Sequence, residues 1–321
     1  MPMTAIEAAP SRIVSLAAVK KGPRRRNATR RRQNLAAYLF VLPFFLVFIA
    51  MLVVPLAYAG GLSFFRTQLV GGTSFVGLGN YTRALRDPDF LGSVARMGLL
   101  LVVQVPIMLG SALVFALALD SGRVRGGRVI RLIMFLPYAI PGVVATLMWG
   151  YIYGRDFGPI TQIFQKLGAT APNLLGGRFI LASIINIVTW EFIGYNMIVM
   201  YSALRAVPTE LYEAAEVDGA GQWRIAWSVK IPAIRSAIFL TVIFSVIGTF
   251  QLFSEPQLLY SLSPNVIGVD FSPNLYAYNL AFVNQDTNYA AAVAFLLGII
   301  IMIISYVVQL TTARRLRSDT E

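Results

Sequence analysis

RAVPTELYEAAEVDGAGQWRIAWSVKIPAIR, from Arg205 to Arg235, is the stretch on which the fold of this chain is decided. Thr209 is placed to cap a short helix with Glu210 in its first turn, and Leu211, Ala214 and Ala215 share one apolar face. Gly219 suits the left-handed conformation that ends such a helix. A second helix is expected from Gln222 to Lys230, with Trp223, Ala226 and Trp227 at helical spacing, until Pro232 breaks it. The pattern predicts a helix-turn-helix. An amphipathic hairpin of this kind fits two settings. One is a groove on a partner protein, where Ala lets backbones approach and Trp anchors the edge; the other is the lipid interface. Periodicity alone leaves both open.

On either side of the hairpin the chain turns apolar. A helix needs roughly 20 apolar residues to cross a hydrocarbon core. Six stretches meet that length: Leu35 to Tyr58, Val94 to Leu119, Val129 to Tyr153, Phe179 to Leu204, Ile234 to Phe253 and Tyr289 to Thr312. The fold class expected is therefore an all-α membrane protein with six transmembrane helices and an internal hairpin. Residues 1–34 form a basic tail expected to be disordered, 35–312 the six-span domain with its core at about 90–312 and the hairpin at 205–235, and 313–321 a second tail. Pro43, Pro106, Pro137 and Pro141 fall inside spans and are expected to kink them.

Of the 27 Lys and Arg residues, 20 lie in the N-terminal tail, the segment from Asp120 to Arg131, the hairpin segment and the C-terminal tail. Basic residues near span ends resist translocation, so these segments and both termini are expected in the cytoplasm. The first span follows a basic leader and precedes Ala57-Tyr58-Ala59, which resembles a signal-peptide cleavage site. Its apolar core is longer than a signal core, and an uncleaved anchor is expected. The run from Lys20 to Arg32 lacks interleaved aromatics, so contact with anionic lipid is expected rather than with nucleic acid.

The composition excludes much chemistry. Hydrophobic residues make up 57% of the chain and charged residues only 13%, which is unlike a soluble domain. Cysteine and histidine are both absent, and with them thiolate nucleophiles, Cys/His zinc sites, disulfides and triads that need an imidazole. No Gly-x-x-x-x-Gly-Lys-Ser/Thr loop occurs, so the chain lacks the phosphate cradle of an ATPase.

The hairpin carries Glu213, Ala214 and Ala215, then Gly219 after three residues, then Val229, Lys230, Ile231 and Pro232 after nine more. This resembles the signature of the binding-protein-dependent ABC importer permeases, Glu-Ala-Ala, three residues, Gly, nine residues, Ile, one residue, Leu-Pro. Only Val229 and Ile231 depart from it. FVGLGNY at Phe75 to Tyr81, FLPYAIP at Phe135 to Pro141 and LRAVPTELYEAAEVDGAG at Leu204 to Gly221 are similar to the carbohydrate-uptake branch related to maltose and glycerol-phosphate permeases. One stretch departs from that branch: LLYSLSP, Leu258 to Pro264, stands where such permeases often carry Leu-Thr-Gly-Gly-Gly-Pro.

The resemblance implies a type I ABC importer permease fold in a bacterial inner membrane. The hairpin would be a coupling helix, with Glu213, Ala214, Ala215, Asp218 and Gly219 docking a separate ATPase subunit. Partners would be a second permease subunit, two copies of the ATPase subunit, an extracytoplasmic solute-binding protein and membrane lipid. ATP and Mg would belong to the ATPase; this subunit would bind no cofactor and catalyse no reaction.

A solute path is nominated by polar residues in the fourth and fifth spans. In IVTWEFIGYN, Ile187 to Asn196, an ionisable Glu191 at mid-span costs on the order of 2.5 to 3.5 kcal/mol and should face the protein interior. Tyr195 follows one turn on, with Asn196 beside it. The resemblance adds the GTFQLFSE part of the fifth span, and with it Thr249, Gln251 and Glu255, as solute-binding candidates. Glu191 also admits a structural role, bonding a neighbouring helix. The rival from another class is an ion-coupled secondary transporter in which Glu191 and Glu255 relay protons.

Overall fold

The computed structural model describes residues 25–68, 70–156 and 158–318; the expected disorder of residues 1–24 lies outside the described residues. The chain divides into two units, residues 1–57 and 58–321. In the first, α1 (Arg25–Phe48) leads through a π-helical turn at Ile49–Val53 into α2 (Val54–Leu62). Residues 25–34, expected to belong to a disordered tail, are thus helical. α1 also passes through Pro43 without a break. Leu39, Phe40, Phe44 and Leu46 are exposed, as suits a lipid-facing helix.

The second unit begins with a short antiparallel hairpin, β1 (Phe65–Gln68) and β2 (Gly72–Phe75), which pairs Phe65 with Phe75 and Thr67 with Thr73. The FVGLGNY stretch closes it. Asn80 at the start of α3 (Gly79–Ala84) donates its amide to the Ser63 and Phe65 carbonyls, at 2.9 and 2.8 Å.

α4 (Pro88–Asp120) starts as its sequence dictates. Asp87 caps it, accepting the Asp89 and Phe90 backbone N–H groups, with Pro88 and Asp89 in the first turn. The Asp87 carboxylate also accepts the Tyr276 and Tyr289 hydroxyls, at 2.6 and 2.5 Å. It thereby ties α4 to α14 (Pro273–Tyr278) and α15 (Thr287–Ser318). Burial acts to raise the Asp87 pKa, but these hydrogen bonds outweigh it and hold the carboxyl below its ordinary value. α15 runs through Ser318, so most of the expected C-terminal tail continues the last helix.

α4 and α8 (Ile180–Arg205) form the central pair, with α12 (Arg235–Phe250) packed against both. Met97, Leu100, Ile184, Ile187, Val246 and Phe250 make their shared core. α5 (Gly127–Ala139) lies so close to α8 that a Cβ on Gly194 would stand 1.7 Å from the Met134 carbonyl oxygen. Only glycine fits there, the close-approach device of membrane helix packing.

The expected third span is not one kinked helix. α5 ends at Ala139 and α6 (Gly142–Ile152) leaves at 96°. Pro137 and Pro141 flank the break, and Ile140 adopts the extended conformation that the residue before a proline favours. Pro106, by contrast, sits inside α4 without breaking it. Among the described residues, four helices are long and apolar enough to cross a membrane, and six if α5 with α6, and Gln222–Ala233 with α12, each count as one bent span. Trp149 packs against the core beside Tyr153 and Trp190. α7 (Pro159–Lys166) lies in the connection to α8, and α13 (Ser254–Leu262) packs on α6.

Candidate functional site

Four of the five polar residues nominated for a solute path gather at a second break. α12 stops at Phe250, α13 starts at Ser254, and the irregular backbone between them borders a cleft of about 430 Å³. Unwound backbone inside a membrane protein is tolerated where it is buried in protein or lines a cavity. Tyr195, Thr249, Gln251 and Glu255 all line the cleft. Glu255 is buried in the first turn of α13, where a carboxylate is favoured by the helix dipole.

The cleft has an aromatic wall. The Tyr138 and Tyr195 rings stack at 4.8 Å and an interplanar angle of 23°, and Phe192 meets Tyr138 edge-on. Also on the lining, the Thr249 hydroxyl donates to the Ser245 carbonyl at 2.8 Å and lies 3.4 Å from the Gln104 side-chain oxygen. Aromatic faces beside amide, hydroxyl and carboxylate groups can pack against the C–H face of a sugar ring and bond its hydroxyls.

Glu191 is placed differently from its expected companions. It is 7% exposed, but it does not line the cleft. Its Oε1 lies 3.3 Å from the position a Gly142 Cβ would take, at the first residue of α6, and its Oε2 has no hydrogen-bond partner. Glu191 therefore faces the α5–α6 break, near the positive end of α6. Sequence reasoning missed Gln104, Tyr138 and Ser245 as cleft residues. Gln104 could have been found: it is a lone amide within an otherwise apolar stretch of a long span, a position where a polar group needs a partner.

The expected helix-turn-helix is present. α9 (Glu210–Val217) ends in a Schellman motif: Gly219, with φ at +78°, donates to the Glu216 carbonyl, and Ala220 donates to the Ala215 carbonyl. Ala215 thus contributes through its backbone to the turn that Gly219 makes possible. At the other end Thr209 makes no side-chain cap; its carbonyl accepts the Tyr212 and Glu213 N–H groups instead, because its backbone is already helical. The second helix is α10 (Gln222–Ile225), continued by a π-helical turn at Ala226–Lys230 and by α11 (Ile231–Ala233). Pro232 was expected to end it, but the 67° bend into α12 falls at Ile234.

Glu213, Ala214, Asp218 and Gly219 are exposed and Ala215 is half-buried. Around them Leu211, Val217, Trp223 and Trp227 are exposed as well, Val217 at 88% and Trp223 at 77%. Glu216 accepts the Gln222 side-chain amide at 2.8 Å and joins the two arms. The hairpin therefore presents an ordered apolar surface that the described residues leave uncovered.

Comparison with known proteins agrees with this geometry. Residues 110–318 match the family described as the binding-protein-dependent transport system inner membrane component. The chain is 30% identical over 284 residues to the arabinooligosaccharides transport system permease protein AraP of Bacillus subtilis (strain 168), covering 85% of this chain and 87% of AraP. It is 29% identical over 290 residues to the lactose transport system permease protein LacF of Rhizobium radiobacter, covering 88% and 95%. Its fold is similar to a crystal structure of a bacterial ABC transporter involved in the import of the acidic polysaccharide alginate, with a TM-score of 0.78 and 18% identity over 90% of this chain and 99% of that one. The chain belongs to the binding-protein-dependent transport system inner membrane component family, with the fold of an ABC importer permease.

Proposed function

We propose that this chain is the permease subunit of an ATP-driven sugar importer and forms half of the solute path. A partner ATPase drives it through the hairpin. The observation that carries the proposal is the ordered, exposed surface around Glu213 to Gly219, a helix stopped by a left-handed glycine and left uncovered by the described residues. A buried helix-accepting groove on an ATPase subunit would cover it. ATP and its Mg would be held by that subunit, two copies of which would act on this chain and a second permease. An extracytoplasmic binding protein would deliver the solute to the opposite face. Both termini and the hairpin would then lie in the cytoplasm, in keeping with the basic residues of those segments.

The sugar class is supported by the relatives, which transport arabinooligosaccharides and lactose by their names, and by the aromatic and polar lining of the cleft. Solute would meet Tyr195, Thr249, Gln251 and Glu255. Glu191 would act from behind the cleft wall on the α5–α6 break. The test is uptake of radiolabelled lactose and arabinooligosaccharides into proteoliposomes that hold the complex purified through a tag on this chain. Uptake should require ATP on the hairpin side and survive collapse of the proton gradient. Uptake without ATP that follows the proton gradient would instead establish an ion-coupled carrier.

A further inference from the structure

Between the hairpin and the cleft lies a buried ion pair. Lys230 Nζ stands 2.5 Å from Asp120 Oδ2, and the two side chains are only 9% and 3% exposed. Lys230 ends the π-helical turn of the hairpin's second arm, and Asp120 is the last residue of α4. The same ammonium lies 4.7 Å over the Tyr212 ring on α9. The Tyr212 hydroxyl donates to the Leu204 carbonyl at the end of α8, at 3.4 Å. Burial raises the Tyr212 pKa, and the Asp120 charge adds to this while Arg205 opposes it, so the ring stays a neutral donor. One ammonium thus gathers both arms of the hairpin and the ends of both central helices.

This arrangement inverts that of Leu211, Val217, Trp223 and Trp227 on the same hairpin, whose apolar side chains are exposed. A buried ion pair is weak evidence for stability, because apolar residues of similar volume often hold a fold as well. What a paired charge supplies is a defined geometry. From Asp120, α4 continues to Gln104, which lines the cleft and faces Thr249 on α12. We propose that the Asp120–Lys230 pair is the strut through which movement of the hairpin reaches α4 and, along α4, the wall of the cleft. Both are positioning residues. The inference rests on the reading that an ATPase drives the hairpin, and it adds where the drive enters the membrane helices.

The test uses the whole complex and needs no knowledge of the sugar. The chain has no cysteine, so Ser254→Cys in the cleft can carry a single bimane label. Its emission is read before and after nucleotide is trapped on the ATPase with vanadate. The label should respond in the unsubstituted complex and in Lys230→Arg, which keeps the positive charge. In the double variant Asp120→Asn with Lys230→Met, which leaves no charge unpaired, the ATPase should still bind and trap nucleotide while the bimane response falls at least about fivefold. A full response in the double variant would overturn the strut. Loss of ATPase binding in that variant would also overturn it, by making the pair a packing element. Absence of the ATPase from the unsubstituted complex would instead defeat the underlying reading of the hairpin.

Discussion

The middle of α8 and its C-terminal end treat polarity in opposite ways. At the middle, Glu191 is buried with one oxygen unpartnered, beside a broken span, and Tyr195 opens onto a cleft at a second break. At the end, Asp120 and Lys230 are paired and inside, while Leu211, Val217, Trp223 and Trp227 of the hairpin face outward. A buried unpaired carboxylate costs free energy that a fold retains only where the group has work to do or a second state to meet. An exposed apolar helix is retained where a partner covers it. On the function proposed above, the contrast separates a region built to change shape around a solute from a region built to be gripped.

The largest effect that sharpens this contrast is expected at the contact holding α5 against α8. Gly194→Leu places a side chain where the Met134 carbonyl stands, and the protein should fail to accumulate in the membrane; Gly194→Ala should be destabilised by about 1–3 kcal/mol or more. Protein levels by immunoblot and thermal unfolding of the solubilised chain would measure both. Normal accumulation of Gly194→Leu would show that α5 and α8 need not approach so closely.

Next come the hairpin variants. Gly219→Pro demands a negative φ where the turn holds +78°, and Glu213→Lys reverses the charge of the exposed helix. Both should abolish uptake while the chain still inserts at normal levels. Normal uptake by both variants would remove the gripped surface from the account. At the middle of α8, Glu191→Leu should lower uptake more than assembly, with the ATPase still co-purifying. Parallel loss of both would make Glu191 a structural bond.

The smallest effect concerns the opposite face. Asp87 has a depressed pKa, so its stabilisation is complete above the ordinary carboxylate value of 3.8 and is lost as pH falls through the folded-state pKa. Asp87 caps α4 through Oδ1 and accepts both tyrosine hydroxyls on Oδ2, so Asp87→Asn, with one accepting oxygen, must give up one of the two roles and should cost about 1–3 kcal/mol near neutral pH. The difference in thermal midpoint between the two proteins should narrow below about pH 4, and a difference that stayed constant would show that the carboxylate's charge is not what holds the cluster.

Much of this was legible in the residues. Long apolar runs define α4, α8 and α15 because a bilayer selects helices by length and hydropathy, and Gly219 announced its turn because few other residues tolerate a positive φ. What stayed hidden depended on tertiary placement. Pro106 and Pro141 look alike in sequence, yet α4 absorbs one while α5 and α6 break at the other, since neighbouring helices decide whether freed backbone groups find partners. Glu191 and Tyr195, one turn apart, suggested a shared role, but the close approach of α5 puts the carboxylate against Gly142 and leaves the phenol in the cleft. The pairing of Asp120 with Lys230 spans 110 positions and has no local signature.

The most direct test of the central claim labels the hairpin itself. In a chain without cysteine, Ala214→Cys provides one thiol on the exposed face of α9, to which a photoactivatable crosslinker is attached in native membranes. The account predicts a crosslink to an ATP-hydrolysing subunit whose yield changes when nucleotide is trapped. Crosslinks confined to lipid, in membranes that still take up sugar, would contradict it.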